Sequence, residues 1–214
     1  MAAYPTIDTP YGFKPVGLMG GRVYAGSTRQ IPIASGHATN IFFGEVVILS
    51  SNGCVTSAAL TATTVNIVGV FQGCSYVNAL GQRVYSQYYP ATVTNAVDTA
   101  NATWAYVADD PLIVMKVAMV SGTTAISGLT RTAAVGGNAA IVVNTGSTIT
   151  GDSKWAILNT VDTTTTTPIR IIDVVPETMG QGYSSSAFNS AGSFCEFLVM
   201  WNQSCHIYNI AGGV

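Results

Sequence analysis

Two histidines, four cysteines and one pair of adjacent carboxylates are the side chains of this sequence with the most chemistry to offer. His37 and His206 are far apart in the chain, with no HExxH and no pair four residues apart, so the helix-borne zinc site of a metalloprotease has no basis. Cys195, Cys205 and His206 would supply three zinc ligands by type, but structural zinc sites draw on closely spaced cysteine pairs and no CxxC occurs. Ordinary β packing is the expectation for all three. Serines are plentiful, yet there is no G-x-S-x-G elbow, and Ser35-Gly36-His37 reads as a turn. Asp109 and Asp110 match a glycosidase pair only in number, because chain neighbours point apart where that chemistry needs two carboxyl groups facing one bond. Gly20-Gly21 and Gly136-Gly137 lack the Lys-Ser/Thr and the helix of a phosphate loop, and are read as turns. Asn101-Ala102-Thr103 and Asn202-Gln203-Ser204 fit the glycosylation pattern, a match that a Thr-rich chain gives by chance. Tyr85, Tyr88 and Tyr89, followed by Pro90, could stack on a sugar. Strand alternation sets Tyr88 opposite the other two, so core or subunit packing is the stronger expectation. These residues predict no enzyme, no metal and no cofactor.

The elements that would position them are strands. Ile41 to Leu49 is rich in β-branched and aromatic residues and stops at Ser50-Ser51-Asn52-Gly53, where Asn-Gly suggests a type I′ hairpin with positive φ at both residues. Ile67–Gln72 is a second run, and a turn around Ala79-Leu80-Gly81-Gln82 joins Cys74–Asn78 to Arg83–Tyr89. Further strands are expected at Trp104–Val107, Leu112–Val120, Ala140–Asn144 and Trp155–Leu158. Ile169–Val175 is another, with Arg170, Ile172 and Val174 on its buried face. A last hairpin should pair Phe194–Trp201 with His206–Ile210. Asp109-Asp110-Pro111 is a turn, since Asp side chains bond nearby N–H groups and Pro fixes φ. One short helical turn is expected within Leu129–Ala134, stopped by Gly136-Gly137. The five threonines from Thr163 to Thr167 and the Gly/Ser-rich stretch from Glu177 to Ala191 read as loops, the latter flexible. The fold class is therefore all-β, an antiparallel barrel or sandwich with little helix.

Residues 1–30 form a separate unit in this reading. Pro5, Pro10 and Pro15, with five glycines, exclude helix and make a long regular strand unfavourable. Tyr4, Ile7, Tyr11, Phe13, Val16, Leu18, Val23 and Tyr24 are too apolar for a free tail. The segment is an extended arm, laid over its own core or reaching onto a neighbour. Residues 31–214 form the β-rich domain, and if that divides, the polar interval 92–103 is where it should.

Composition narrows the function. Of the 214 residues 48% are hydrophobic and only 8% charged, against roughly 25% charged in an ordinary soluble protein. Such hydrophobicity excludes disorder for the chain as a whole. The apolar runs are too short for a membrane-spanning helix. A net charge of −2 with scattered Lys and Arg gives no footprint for nucleic acid. A surface of Ser, Thr, Asn, Gly and Ala is cheap to desolvate, which suits a subunit packed against neighbours, as it would suit a secreted protein. The opening MAAYPTIDTPYGF has no basic n-region and no apolar h-region, so synthesis in the cytoplasm with reduced cysteines is expected.

The stretch YGFKPVGLMGGRVYAGSTRQIPIASGHATNIFFGEVV, continued by VGVFQGCSYVNALGQRVYSQYYPA, DDPLIVMKV, GDSKWAIL and PIRIIDVVPET, resembles small structural proteins of tailed bacteriophages, marine ones especially. Within them it is most similar to head decoration, or cement, proteins. The resemblance implies a compact β domain with an N-terminal arm, no catalytic residues, and binding to the exterior of a capsid assembled in the host cytoplasm. The partners it implies are the major capsid protein and the chain itself, as a homotrimer, with no nucleic acid and no membrane. Tyr4–Arg29 would then be the docking arm, with Tyr4, Tyr11, Phe13, Arg22, Tyr24 and Arg29 as contact residues. A tail or connector subunit, or a glycan-binding β module on the virion surface, would share the composition.

Overall fold

The computed structural model describes residues 10–57, 66–91, 93, 103–121, 124–125, 129–178 and 194–209, and its architecture is all-β. One sheet contains β1 (Lys14–Leu18), β8 (Ile113–Ser121), β9 (Thr124–Ala125), β10 (Asn138–Val142), β11 (Ala156–Asp162), β12 (Ile169–Val174) and β13 (Cys195–Trp201). The other contains β2 (Arg29–Pro32), β3 (Val46–Leu49), β4 (Val55–Ser57), β5 (Ile67–Val77), β6 (Arg83–Ser86) and β7 (Trp104–Ala108). The helix α1 is a single turn, Arg131–Ala134, capped by the Thr130 hydroxyl accepting from the Ala133 N–H.

In the first sheet the order β8-β11-β10-β12-β13 returns to β8, closing a five-stranded barrel. Closure leaves those strands no bare edge. Each pairing in the ring is antiparallel except β11 with β8. β1 and β9 add to β8 outside the ring. The second sheet runs β2-β7-β5-β3-β4 with β6 on β5, and a parallel bridge between Ile33 and Val55 brings its two ends together.

Strand alternation explains how the two sheets share hydrophobic surface. Val47, Val68, Phe71, Val55, Ile31 and Val107 fill the interior of the second sheet. The intervening residues Val46, Ile67 and Val70 face the other way, into a core with Ile113, Met115, Phe197 and Trp201 of the first barrel. β5 is thus buried on both faces over Ile67–Phe71. Gly69 lies where a Cβ would stand 2.1 Å from the Ala108 carbonyl oxygen, so only glycine allows β5 and the end of β7 to approach this closely.

Several details differ from the sequence reading. The hairpin at Ser50–Cys54 forms, but only Gly53 has positive φ (77°); Gly53 N–H bonds to Ser50 O and Ser50 N–H to Cys54 O, a tight turn closed by a glycine bulge instead of type I′. The same pattern recurs at Asn78–Gln82 with Gly81. On β12 the buried residues are Ile169, Ile171 and Val174, while Arg170 is exposed; of the three expected inside only Val174 is buried, brought inward by a bulge between Ile171 and Asp173 that shifts the alternation. No hairpin follows β13 within the described residues: a 3-10 turn at Gln203–Cys205 leads His206 into a parallel bridge with Ile67 of the second sheet. The chain crosses between sheets at Asp109–Leu112, whereas 92–103 connects β6 to β7 within one sheet; residue 92 and residues 94–102 lie outside the described residues, as do 179–191.

The boundary at residue 30 also needs revision. Residues 14–18 are a strand of the first sheet, and β2 straddles position 30 in the second. Tertiary pairing overrides the breakers here. Pro15 is tolerated because β1 is an edge strand, and a bulge between Pro15 and Gly17 absorbs the irregularity.

Candidate assembly surface

The six residues expected on a docking arm divide into anchors and exposed groups. Tyr4 lies outside the described residues. Phe13 is completely buried, its ring centroid 6.3 Å from that of Trp201. Its N–H donates to Gly44 O at 2.8 Å, and the Gly12 N–H donates to Trp155 O at 3.1 Å, so these two residues tie one sheet to the other. Gly12 has φ +81°, and a Cβ there would meet the Gly44 carbonyl oxygen at 2.7 Å. Neither Phe13 nor Gly12 can reach a neighbour.

Tyr11 is the second anchor. Its hydroxyl donates to Oε1 of Glu196, a carboxylate whose side chain is only 4% exposed. Lys116 Nζ pairs with the other oxygen at 3.1 Å, and Lys14 Nζ sits 4.3 Å from the Tyr11 ring centroid. Burial first, then the Glu196 carboxylate, hold the Tyr11 phenol far above its usual range. The buried carboxylate is thus neutralised by Lys116 and fixed by Tyr11, locking the N-terminal segment onto β8 and β13.

Between β1 and β2 the chain turns outward. Leu18 and Arg22 form a bridge around Gly20 and Gly21, both at positive φ, which only glycine adopts without strain. Val16 on the free edge of β1, Met19 in this turn and Val23 beyond it are exposed by 47%, 39% and 82%. Arg22 is exposed as well. Tyr24 packs partly against the first core and donates its hydroxyl to Ser27 O at 3.0 Å. Arg29 closes the segment by pairing with Asp109 at 2.9 Å, where Asp109 also accepts from the Tyr208 hydroxyl at 2.7 Å. Burial and that carboxylate push the Tyr208 phenol up to about 12. The structure therefore brings Tyr24 and Arg29 to the end of an exposed apolar turn that sequence reasoning did not single out. Its signal was the Gly20-Gly21 pair inside an apolar run.

The residues with chemical potential are spread apart. Among the described residues no three His, Cys, Asp or Glu side chains gather as a metal site. Cys54, Cys74, Cys195 and Cys205 are unpaired, and burial pushes the Cys74 thiol to about 12 and the Cys195 thiol to about 11. Asp109 binds Arg29 while Asp110 Oδ1 accepts from the Leu112 N–H, so the two carboxylates face different partners. His37 Nε2 lies 2.9 Å from the Thr39 hydroxyl in a tight turn, His37 N–H bonding to Ala34 O. His206 is buried against Trp201, and burial holds its pKa below the ordinary histidine value. Tyr85 is exposed, Tyr88 stacks on Phe42 with centroids 5.6 Å apart, and Tyr89 is buried, so the three tyrosines share no platform. Among the described residues, no helix is long and apolar enough to cross a membrane. Compared with known protein families, with curated proteins and with solved structures, the chain matches none.

Proposed function

We propose that this chain is a virion structural protein, a decoration or cement protein that binds the outer surface of an assembled phage head and stabilises contacts between capsomers. The observation that carries the reading is the exposed turn at residues 16–24, held at both ends by strands of a rigid double-sheet body. It presents Val16, Met19 and Val23 with Arg22 beside them, on a chain with few charges to desolvate. Exposed apolar side chains grouped in this way mark interaction sites. The phage-like motifs of the sequence support the same reading. Its partners are the major capsid protein and further copies of itself, as a homotrimer on the capsid exterior.

Cement of this kind works by area and needs no catalysis. A standard interface of roughly 1,600 Å², repeated around a shell, holds without covalent bonds. Trimerisation adds avidity, because one docked turn raises the effective concentration of the other two.

The test is co-sedimentation of the purified protein with expanded heads that lack it. Saturable binding at a fixed copy number per capsomer, abolished in Val23→Asp, is the expected result. Absence of head binding, with incorporation into tails, would overturn the proposal.

A further inference from the structure

On the outer face of the second sheet, β7, β5 and β6 are neighbours, and their side chains line a groove of about 460 Å³. Tyr106 stands on one wall and Tyr85 on the other, with Gln72, Ser86 and Gln87 between and beside them. Phe43 also lines the groove, and no charged side chain is among the lining residues. Gly73, at φ +132°, sits at an irregularity in the pairing of β5 with β7 that places Phe71 and Cys74 opposite nearly adjacent residues of β7. Such a bulge bends the strand and opens the face above it.

Tyr85 is 71% exposed on the edge strand β6, a large aromatic side chain left mostly in water. The Gln87 amide is already oriented, its Nε2 donating to Asp152 Oδ1 at 2.9 Å, which leaves its carbonyl oxygen to accept. Gln72 adds a second carboxamide, which has both donor and acceptor capacity.

We infer that this groove is a binding site for a neutral saccharide. A sugar ring has an apolar face of C–H groups that lies against an aromatic ring, and a rim of hydroxyls that both donate and accept. Two tyrosines with two carboxamides meet both requirements, the Ser86 hydroxyl being engaged with the Tyr88 backbone. An anionic ligand would find no cation in the lining. A proline-rich peptide would use the aromatic walls but leave the carboxamides unmatched. The volume lies in the lower part of the range of small-ligand sites, which suits one or two sugar rings. None of the lining residues belongs to the turn at residues 16–24, so the inference holds whether or not that turn docks on a shell.

The experiment titrates the intact protein with cellobiose, maltose and chitobiose, read by saturation-transfer NMR and calorimetry, beside a proline-rich decapeptide. One of the disaccharides should bind saturably. Tyr85→Ala should weaken it about tenfold, the effect of losing one well-placed aromatic contact, while Tyr85→Phe keeps affinity within about twofold. Tyr85 is exposed, so neither variant threatens the fold, and far-UV circular dichroism checks that. Failure of all three sugars to saturate, equal binding by Tyr85→Ala, or binding of the peptide alone would overturn the inference.

Discussion

Glu45 is a carboxyl group almost entirely removed from water, with relative exposure of 3%. It follows Gly44 at the entrance to β3 and accepts a hydrogen bond from the Ser57 hydroxyl at 2.9 Å. Burial raises its pKa from 4.5 to about 7, and hydrogen bonds from Ser57 and the Phe42 backbone only partly oppose it. The folded protein therefore keeps a proton on Glu45 at a pH where the unfolded chain has lost it. Stability from this group is complete below the unfolded pKa and declines as pH rises through the folded value. The shift corresponds to about 3 kcal/mol of destabilisation once both states are ionised. Glu45→Gln removes the titration and keeps an acceptor for Ser57. Its expected advantage over the parent is near zero at about pH 4.5 and grows to about 3 kcal/mol at about pH 8. Urea unfolding of both proteins across that range measures the difference directly, with the other carboxylates cancelling between them. A variant advantage that does not change with pH would refute the reasoning, as would a variant destabilised throughout.

Three further outcomes follow from the packing. Tyr11→Phe deletes the hydroxyl bound to buried Glu196 and should cost about 1.5–3 kcal/mol by chemical denaturation, the range for a hydrogen bond to a charged group. Gly69→Ala usually gains a little by stiffening the unfolded chain, but here the new Cβ would meet the Ala108 carbonyl, so a loss of about 3 kcal/mol in the same assay is expected. Removal of residues 1–18 takes away β1 and fully buried Phe13 and should abolish the cooperative transition, since losing such an aromatic alone costs about 3–5 kcal/mol.

The readable parts of this fold were those governed by neighbours in sequence. Gly53 and Gly81 marked their hairpins because a turn needs a residue at positive φ at that point in the chain. Asp109-Asp110-Pro111 marked a turn, and the apolar run after it became β8. The unreadable parts depend on distant partners. Nothing local distinguishes Phe13, wedged between two sheets, from Tyr24, which stays half-exposed, since each is an aromatic in a segment broken by Gly and Pro. On β12 the half before the bulge turns Ile169 and Ile171 inward instead of Arg170, and the bulge at Ile171/Asp173 then brings Val174 inward, because one extra residue undoes the two-residue period from which a single face was read. The candidate assembly surface suffered the same loss. Its aromatic residues attracted attention by type, yet the groups left in water are mainly aliphatic.

That division bears on how such a surface would work. A free arm ordered only on docking loses conformational freedom at the moment of binding, and that loss subtracts from affinity. Here β1 is paired to β8 before any partner arrives, Tyr11 is bonded to Glu196, and Arg29 is paired with Asp109 at the far end. Only the ten residues between β1 and β2 are left outside strands, and Tyr24 pins the middle of them to the first core. The entropic cost of presenting Val16, Met19 and Val23 is therefore met largely within the fold of the subunit. A preorganised patch needs less area for the same affinity, and because β1 is paired to β8, load on a copy docked in the proposed way would pass into the closed barrel through that strand.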